Sequence, residues 1–202
     1  RHFLEGAAQV ASEATDKPVI NCGDGANQHP TQTLLDLFTI MECQKKIDGL
    51  HIAMVGDPKH SRTMHSLAQA LTHFKVRLYF VAPPSLQMPD SITDELKRAG
   101  ITFSFHENMD DVLKKVDILY TNRVQEERFS DRAEFERLKN IYVLRAEMLR
   151  GVKKTMRVLN PLPRVNEIHT DVDATSHAYY FQQAENGLYV RQALLALLLG
   201  KI

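Results

Sequence analysis

Three features of the sequence predict an α/β fold with an open, mostly parallel sheet and helices on both its faces. Short apolar runs, such as 51–56 and 76–81, alternate with segments of helical spacing. Turns carrying Gly or Pro separate them, as at Asp57-Pro58 and Pro83-Pro84. Strands in that pattern are joined by right-handed crossovers, which makes the sheet parallel and covers both its faces.

The bulk properties bound the rest. At 202 residues the chain can bury roughly 70% of its unfolded surface and needs no covalent staple. Lys+Arg and Asp+Glu both total 25, for no net charge, which argues against a broad nucleic-acid footprint. Cys22 and Cys43 have no zinc-type spacing, so neither a disulfide framework nor a structural metal is expected. No secretory leader and no apolar run long enough to span a bilayer is read. No membrane association is expected, and a reduced cytoplasmic setting is the default.

Residues 1–17 begin with Arg1-His2 and carry a short helical pattern at Leu4, Ala7, Ala8, Val10 and Ala11; 18–21 reads as a brief strand. A Gly23-Asp24-Gly25 turn then leads through Asn27-Gln28-His29-Pro30 into a helix reaching about Met41. Proline is favoured in the first helical position, where its missing N–H costs nothing. That puts His29 at the N-cap and Gln32 one turn later, on the same side of a helix mouth suited to an anion. Leu34, Leu37, Phe38 and Met41 recur at helical spacing and are expected to anchor the other side in a core.

Beyond residue 50, strands are expected at 51–56, 76–81, 101–105, 117–121, 141–144 and 156–159. Helices are expected near 61–74, 89–99 and 109–115. The mixed-sign stretch 126–139 reads as a solvated face. The last helix, about 181–199, is apolar nearly all round towards its end, a pattern that calls for burial on several sides.

In open α/β sheets ligands bind beyond the carboxyl ends of the strands, and four clusters fall there. His29 and Gln32 are one. Arg62, after the strand at 51–56, would sit in the first turn of a helix, where the dipole disfavours a cation by a few tenths of a kcal/mol. An anionic ligand would offset that cost, and so would an ion pair with Asp57; both readings stand. A Gly-rich dinucleotide loop is missing there, which weakens a nicotinamide-dehydrogenase reading. Arg123 and Gln125, two apart in an extended segment, point the same way and suit a carboxylate, though a solvated loop also fits. The run Asn160-Pro161-Leu162-Pro163-Arg164 leaves backbone carbonyls with few local partners, or simply closes a strand with a rigid turn.

Taken together and in this order, the clusters resemble the aspartate carbamoyltransferase family. The resemblance is carried by 23–33 (Gly-Asp-Gly-Ala-Asn-Gln-His-Pro-Thr-Gln-Thr), by 54–57 (Met-Val-Gly-Asp) with Arg62-Thr63 and His65-Ser66, and by 123–128 (Arg-Val-Gln-Glu-Glu-Arg). Pro161-Leu162-Pro163-Arg164-Val165 and 183–187 (Gln-Ala-Glu-Asn-Gly) complete it. The loop reads Asn-Pro-Leu-Pro, without the His-Cys-Leu-Pro cysteine of ornithine-type enzymes, which favours aspartate. The family's phosphate loop and its mobile Ser/Lys loop are absent, so the chain resembles the C-terminal portion of the catalytic subunit.

The resemblance implies the tail of a preceding α/β carbamoyl-phosphate domain and linking helix at 1–42, an aspartate-binding domain at 43–178, and a C-terminal helix at 179–202 packing back towards the first domain. It implies carbamoyl transfer from carbamoyl phosphate to L-aspartate in pyrimidine synthesis, with no metal and no organic cofactor. His29 and Arg1 would address the carbonyl oxygen, and Gln32 the carbamoyl amide. Arg62 and Arg123 would take the aspartate carboxylates with Gln125 assisting, and the backbones of Pro161 and Leu162 would hold amino groups. A homotrimer of catalytic chains, with or without regulatory chains, would be the assembly. The alternatives are a catalytically incomplete aspartate-binding or assembly fragment needing the missing domain, an ornithine-type enzyme, and an unrelated nucleotide-binding α/β module.

Overall fold

A computed structural model describes residues 1–126 and 129–202. Five strands form one all-parallel sheet in the order β3-β2-β1-β4-β5: β1 His51–Val55, β2 Arg77–Val81, β3 Thr102–His106, β4 Ile118–Thr121 and β5 Arg157–Leu159. Ala53 lies opposite both Tyr79 of β2 and Leu119 of β4. Because side chains alternate across a strand, Ile52 and Met54 enter one core while Ala53 and Val55 enter another. A parallel sheet covered on both faces therefore accounts for the continuously apolar β1.

The first core packs against α2 (Pro30–Gln44), α3 (Arg62–Ala70) and α4 (Asp90–Arg98), through Ile40, Met64, Leu67 and Leu96. On the opposite face lie the short α5 (Asp110–Leu113) and the turns at Ala146–Leu149 and Thr170–Ala174. Strand order turns back between β1 and β4, so the crevice at their carboxyl ends is the switch point where such sheets bind ligands. Gly56 makes the crevice possible. Its φ is +127°, and a Cβ there would lie 2.0 Å from the Asn122 carbonyl oxygen, so only glycine lets the two loops meet.

Several expectations fail, each for a physical reason. On α2 the side chains that enter the core are Leu35 and Ile40, whereas Leu34, Phe38 and Met41 are 44%, 47% and 44% exposed. Leu37 is partly buried and packs against the core as expected, but the other three face outward, because the side of α2 turned inward also carries Asp36 and Thr39. The final helix, α7 (Tyr180–Leu198), repeats the inversion: Gln183, Asn186 and Gly187 are buried, and Leu195 and Leu197 are exposed. Polar pairs join the two helices, with Asn186 Nδ2 donating to Thr39 Oγ1 at 3.1 Å and to Glu42 Oε2 at 2.8 Å.

The segment 18–21 forms no strand, and 141–144 contributes a single bridge from Leu144 to Ile168 rather than a sheet strand. Within 126–139, Glu127 and Arg128 lie outside the described residues. The remainder is not simply solvated: α6 (Arg132–Leu138) buries Phe135 against Ala82, Leu86 and Val124, a satellite cluster against which Phe129 and Leu138 also pack. The first helix, α1 (Ala7–Glu13), buries no residue.

Candidate active site

The Gly23-Asp24-Gly25 turn is built around one carboxylate. Asp24 accepts from Asn21 Nδ2 at 2.9 Å, Asn27 Nδ2 at 3.0 Å, and the backbone N–H groups of Gly6 and Gln28 at 2.8 and 3.2 Å. Burial raises its pKa, but these four donors outweigh burial and hold it below the usual carboxylate value. Backbone bonds from His2 to Gly23 and from Gly25 to His2 tie the start of the chain to this turn. That tie brings Arg1 to the same place.

His29 is the N-cap of α2, with Pro30 in the first turn, as the sequence predicts. Its backbone N–H donates to Ser66 Oγ at 2.8 Å, fixing the helix mouth to α3. Burial, and then the positive charges of Arg62, Arg1 and Arg191, lower the imidazole pKa to about 4. At neutral pH His29 is therefore an uncharged ring with one N–H to donate.

Arg62 is the first residue of α3, whose N-cap Ser61 accepts from Met64 N–H. Its Nη1 donates to the Gly25 carbonyl at 3.1 Å. Gly23 sits beneath the guanidinium with φ +116°, and a Cβ there would lie 2.7 Å from Arg62 Cζ. Asp57, the partner considered for Arg62, turns elsewhere. It accepts from His60 Nδ1 at 3.0 Å and from Gln125 N–H at 3.4 Å, and so joins the loop after β1 to the loop after β4.

The loop after β5 hangs on Asn160. Its N–H donates to Gln183 Oε1 at 2.8 Å, its Nδ2 donates to Thr121 Oγ1 at 3.1 Å and Glu167 Oε1 at 2.9 Å, and its Oδ1 accepts from Leu162 N–H at 2.8 Å. The whole side chain is used in holding the Pro161–Leu162 backbone. Arg164 is engaged elsewhere, paired with Asp173 and with the Tyr180 hydroxyl.

All eight residues singled out in the sequence line one cavity of about 760 Å³: Arg1, His29, Gln32, Arg62, Arg123, Gln125, Pro161 and Leu162. Ser61, Thr63, Asn122 and Asn160 line it too; they fall within the same sequence clusters, which assign them no role of their own. The larger omission is Asp36, which is fully buried behind Gln32. It accepts from Gln32 Nε2 at 2.9 Å, Gln183 Nε2 at 2.7 Å and the Tyr120 hydroxyl at 2.9 Å. Burial pushes its carboxyl up to about 7 despite those donors. A polar residue four positions after Gln32, inside an apolar helix, was the available signal.

Among the described residues no group of His, Cys, Asp and Glu could hold a metal ion, and no helix is long and apolar enough to cross a membrane. Three arginines, a neutral imidazole and a carboxamide around one cavity fit a small polyanion carrying a carbonyl group.

Comparisons with known proteins agree in both sequence and shape. Residues 48–198 match the family model described as aspartate/ornithine carbamoyltransferase, Asp/Orn binding domain, and residues 1–42 match its carbamoyl-P binding domain. The aspartate carbamoyltransferase catalytic subunit of Vibrio campbellii is 58% identical over 203 residues, covering 100% of this chain and 65% of that protein. The catalytic subunit of M. jannaschii aspartate transcarbamoylase superposes with a TM-score of 0.90 at 48% identity, over 100% of this chain and 65% of that one. Aspartate transcarbamoylase from Trypanosoma cruzi, solved with carbamoyl phosphate and aspartate, gives 0.87 at 36% identity, over 96% and 63%. This chain thus spans 65% of the length of the curated relatives it matches. The chain belongs to the aspartate/ornithine carbamoyltransferase family.

Proposed function

We propose that the cavity binds carbamoyl phosphate and L-aspartate, and that the protein of which this chain forms the matched part transfers the carbamoyl group to give N-carbamoyl-L-aspartate and phosphate. The observation that carries this reading is the convergence of Arg1, Arg62 and Arg123 with His29 and Gln32 on one cavity at the sheet's switch point. Relatives at 58% identity bear the name aspartate carbamoyltransferase, and a structural relative has been solved with both substrates.

In this reading the aspartate amine attacks the carbamoyl carbon. A C–N bond forms, negative charge gathers on the carbonyl oxygen, and the C–O bond to phosphate then breaks with its electron pair. The proton that the amine gives up passes to the departing phosphate, the base that the step itself supplies. Arg1 and the neutral His29 N–H stabilise the oxygen as its charge grows, which is the stabilisation that lowers a barrier. Gln32 accepts from the carbamoyl –NH2, and carbonyls of Pro161 and Leu162 orient amino groups. Arg62 and Arg123, with Gln125, fix the two aspartate carboxylates, so much of the rate comes from positioning. The division at residues 42 and 178, a homotrimeric assembly and a cytoplasmic setting belong to the same proposal.

A second reading is favoured by the coverage of 65%. In it the 202-residue chain binds aspartate and assembles but needs further carbamoyl-phosphate-binding structure for turnover. Assaying N-carbamoyl-L-aspartate formation by the purified chain separates the two. Turnover supports catalysis by this chain. Saturable aspartate-analogue binding without turnover supports the second reading, and absence of both removes the two together.

A further inference from the structure

Gln32 faces the cavity, but the orientation of its amide is set from behind. Its Nε2 donates at 2.9 Å to Asp36 Oδ1, one turn along α2. A carboxamide carries its donor and its acceptor on opposite branches, so holding the –NH2 end leaves Oε1 as the atom offered to the cavity. The flipped amide would set Gln32 Oε1 against a carboxylate oxygen and point its donor towards a cavity already rich in cationic donors. Asp36 thereby makes the flipped state unfavourable on both sides.

The same oxygen reaches a second wall of the cavity. Asp36 Oδ1 also accepts from Gln183 Nε2 at 2.7 Å, and Gln183 Oε1 accepts from the Asn160 N–H at 2.8 Å, immediately before Pro161. Tyr120 donates to the other oxygen, Oδ2, at 2.9 Å. A proton arriving on Asp36 can sit on Oδ2 and be donated to the Tyr120 oxygen once the Tyr120 hydroxyl hydrogen turns to Thr63, leaving Oδ1 an acceptor. The arrangement survives titration of the carboxyl.

We propose that Asp36 is a positioning residue: by holding the Gln32 amide hydrogens it commits the Gln32 carbonyl to accept from the –NH2 of a carbamoyl group, and so makes the site select a carbamoyl over an acyl ligand. This rests on the carbamoyl-transfer reading for its ligand, but not for its geometry. The selection acts on the difference between –NH2 and –CH3, because a methyl group leaves the Gln32 oxygen without a donor.

The test compares the wild-type chain with Asp36→Leu, which removes both acceptors while keeping the branched heavy-atom skeleton, and Asp36→Asn, which keeps an acceptor facing both glutamines. Two quantities are read by NMR: water exchange of the Gln32 side-chain amide protons in the free chain, and affinities for N-carbamoyl-L-aspartate and N-acetyl-L-aspartate. Wild type and Asp36→Asn are expected to show slow exchange and about a tenfold preference for the carbamoyl ligand. Folded Asp36→Leu is expected to show fast exchange and near-equal affinities. A folded Asp36→Leu that keeps both properties overturns the proposal. Should that variant not fold, fast-exchanging Gln32 amide protons in the wild type overturn it equally. Slow exchange lost on Asp36→Leu, with neither ligand bound by wild type, removes the carbamoyl-transfer reading and the selection while leaving the positioning of Gln32 intact.

Discussion

Asp36 and Gln183 lie 147 residues apart in the chain, yet share a 2.7 Å hydrogen bond inside the contact between α2 and α7. Both are buried, on helices that leave Leu34, Phe38 and Met41 (α2) and Leu195 and Leu197 (α7) exposed. The seam that fixes two walls of the cavity is thus polar, and its members depend on one another for hydrogen bonds. Removing one partner from such a seam leaves the other buried and unsatisfied, at a cost of about 1–3 kcal/mol.

The raised carboxyl of Asp36 sets a sign for stability against pH. The unfolded chain loses this proton near pH 4, whereas the folded chain, in which burial pushes the value to about 7, keeps it. Stability contributed by Asp36 therefore declines as pH rises from about 4 to about 7. Asp36→Asn should be more stable than wild type at pH 8, by at most on the order of 4 kcal/mol, and the advantage should vanish near pH 4. Urea unfolding of both proteins at the two pH values measures it.

His29 behaves in the opposite sense. Burial and the surrounding arginines lower its pKa to about 4, so the unfolded chain takes up a proton near pH 6.5 that the folded chain refuses. Its contribution to stability falls as pH drops from about 6.5 towards 4. In ¹⁵N spectra of the imidazole, His29 should remain neutral at pH 5.5. An anionic ligand that screens the arginines should raise its titration point.

Gly56→Ala should be severely destabilising. The new Cβ would sit 2.0 Å from the Asn122 carbonyl oxygen, on a backbone at φ +127°, so β1 and β4 must part at the point where the cavity begins. A loss of several kcal/mol is expected, seen as a large fall in Tm. Gly100→Ala is the control: nothing lies within 4 Å of its Cβ position at φ +73°, so only backbone strain of roughly 1 kcal/mol applies.

The sheet and the cavity were legible in the sequence because both rest on local signals. Four of the five sheet strands are apolar runs ended by turn residues, and the His29-Pro30 boundary carries its own start signal. Arg62, Arg123, Gln125, Pro161 and Leu162 lie beyond strand ends, so finding the strands found their loops. What stayed hidden depends on pairing between distant elements. Exposed Leu34 and buried Asp36 have the same helical periodicity whichever side faces inward, and contacts with distant elements, such as Asp36 with Gln183 and Tyr120, decide it. The strand expected at 141–144 has suitable residues, but Leu144 meets only Ile168 in a single bridge. Phe135 meets Phe129 and Leu138 of its own charged stretch, but the buried residues it packs on, Ala82, Leu86 and Val124, come from two other loops that its sequence neighbourhood does not reveal.

The most direct measurement of the central claim is calorimetric titration of the purified chain with N-(phosphonacetyl)-L-aspartate, the ligand held by a Trypanosoma cruzi relative, alongside Arg62→Gln and Arg123→Gln. Each substitution should remove roughly 1.5–3 kcal/mol of charged hydrogen bonding, weakening binding by about 10- to 100-fold with the fold retained. Saturable binding that both substitutions weaken by this amount is the predicted result. Absence of saturable binding, or binding that neither substitution changes, would contradict the assignment of this cavity.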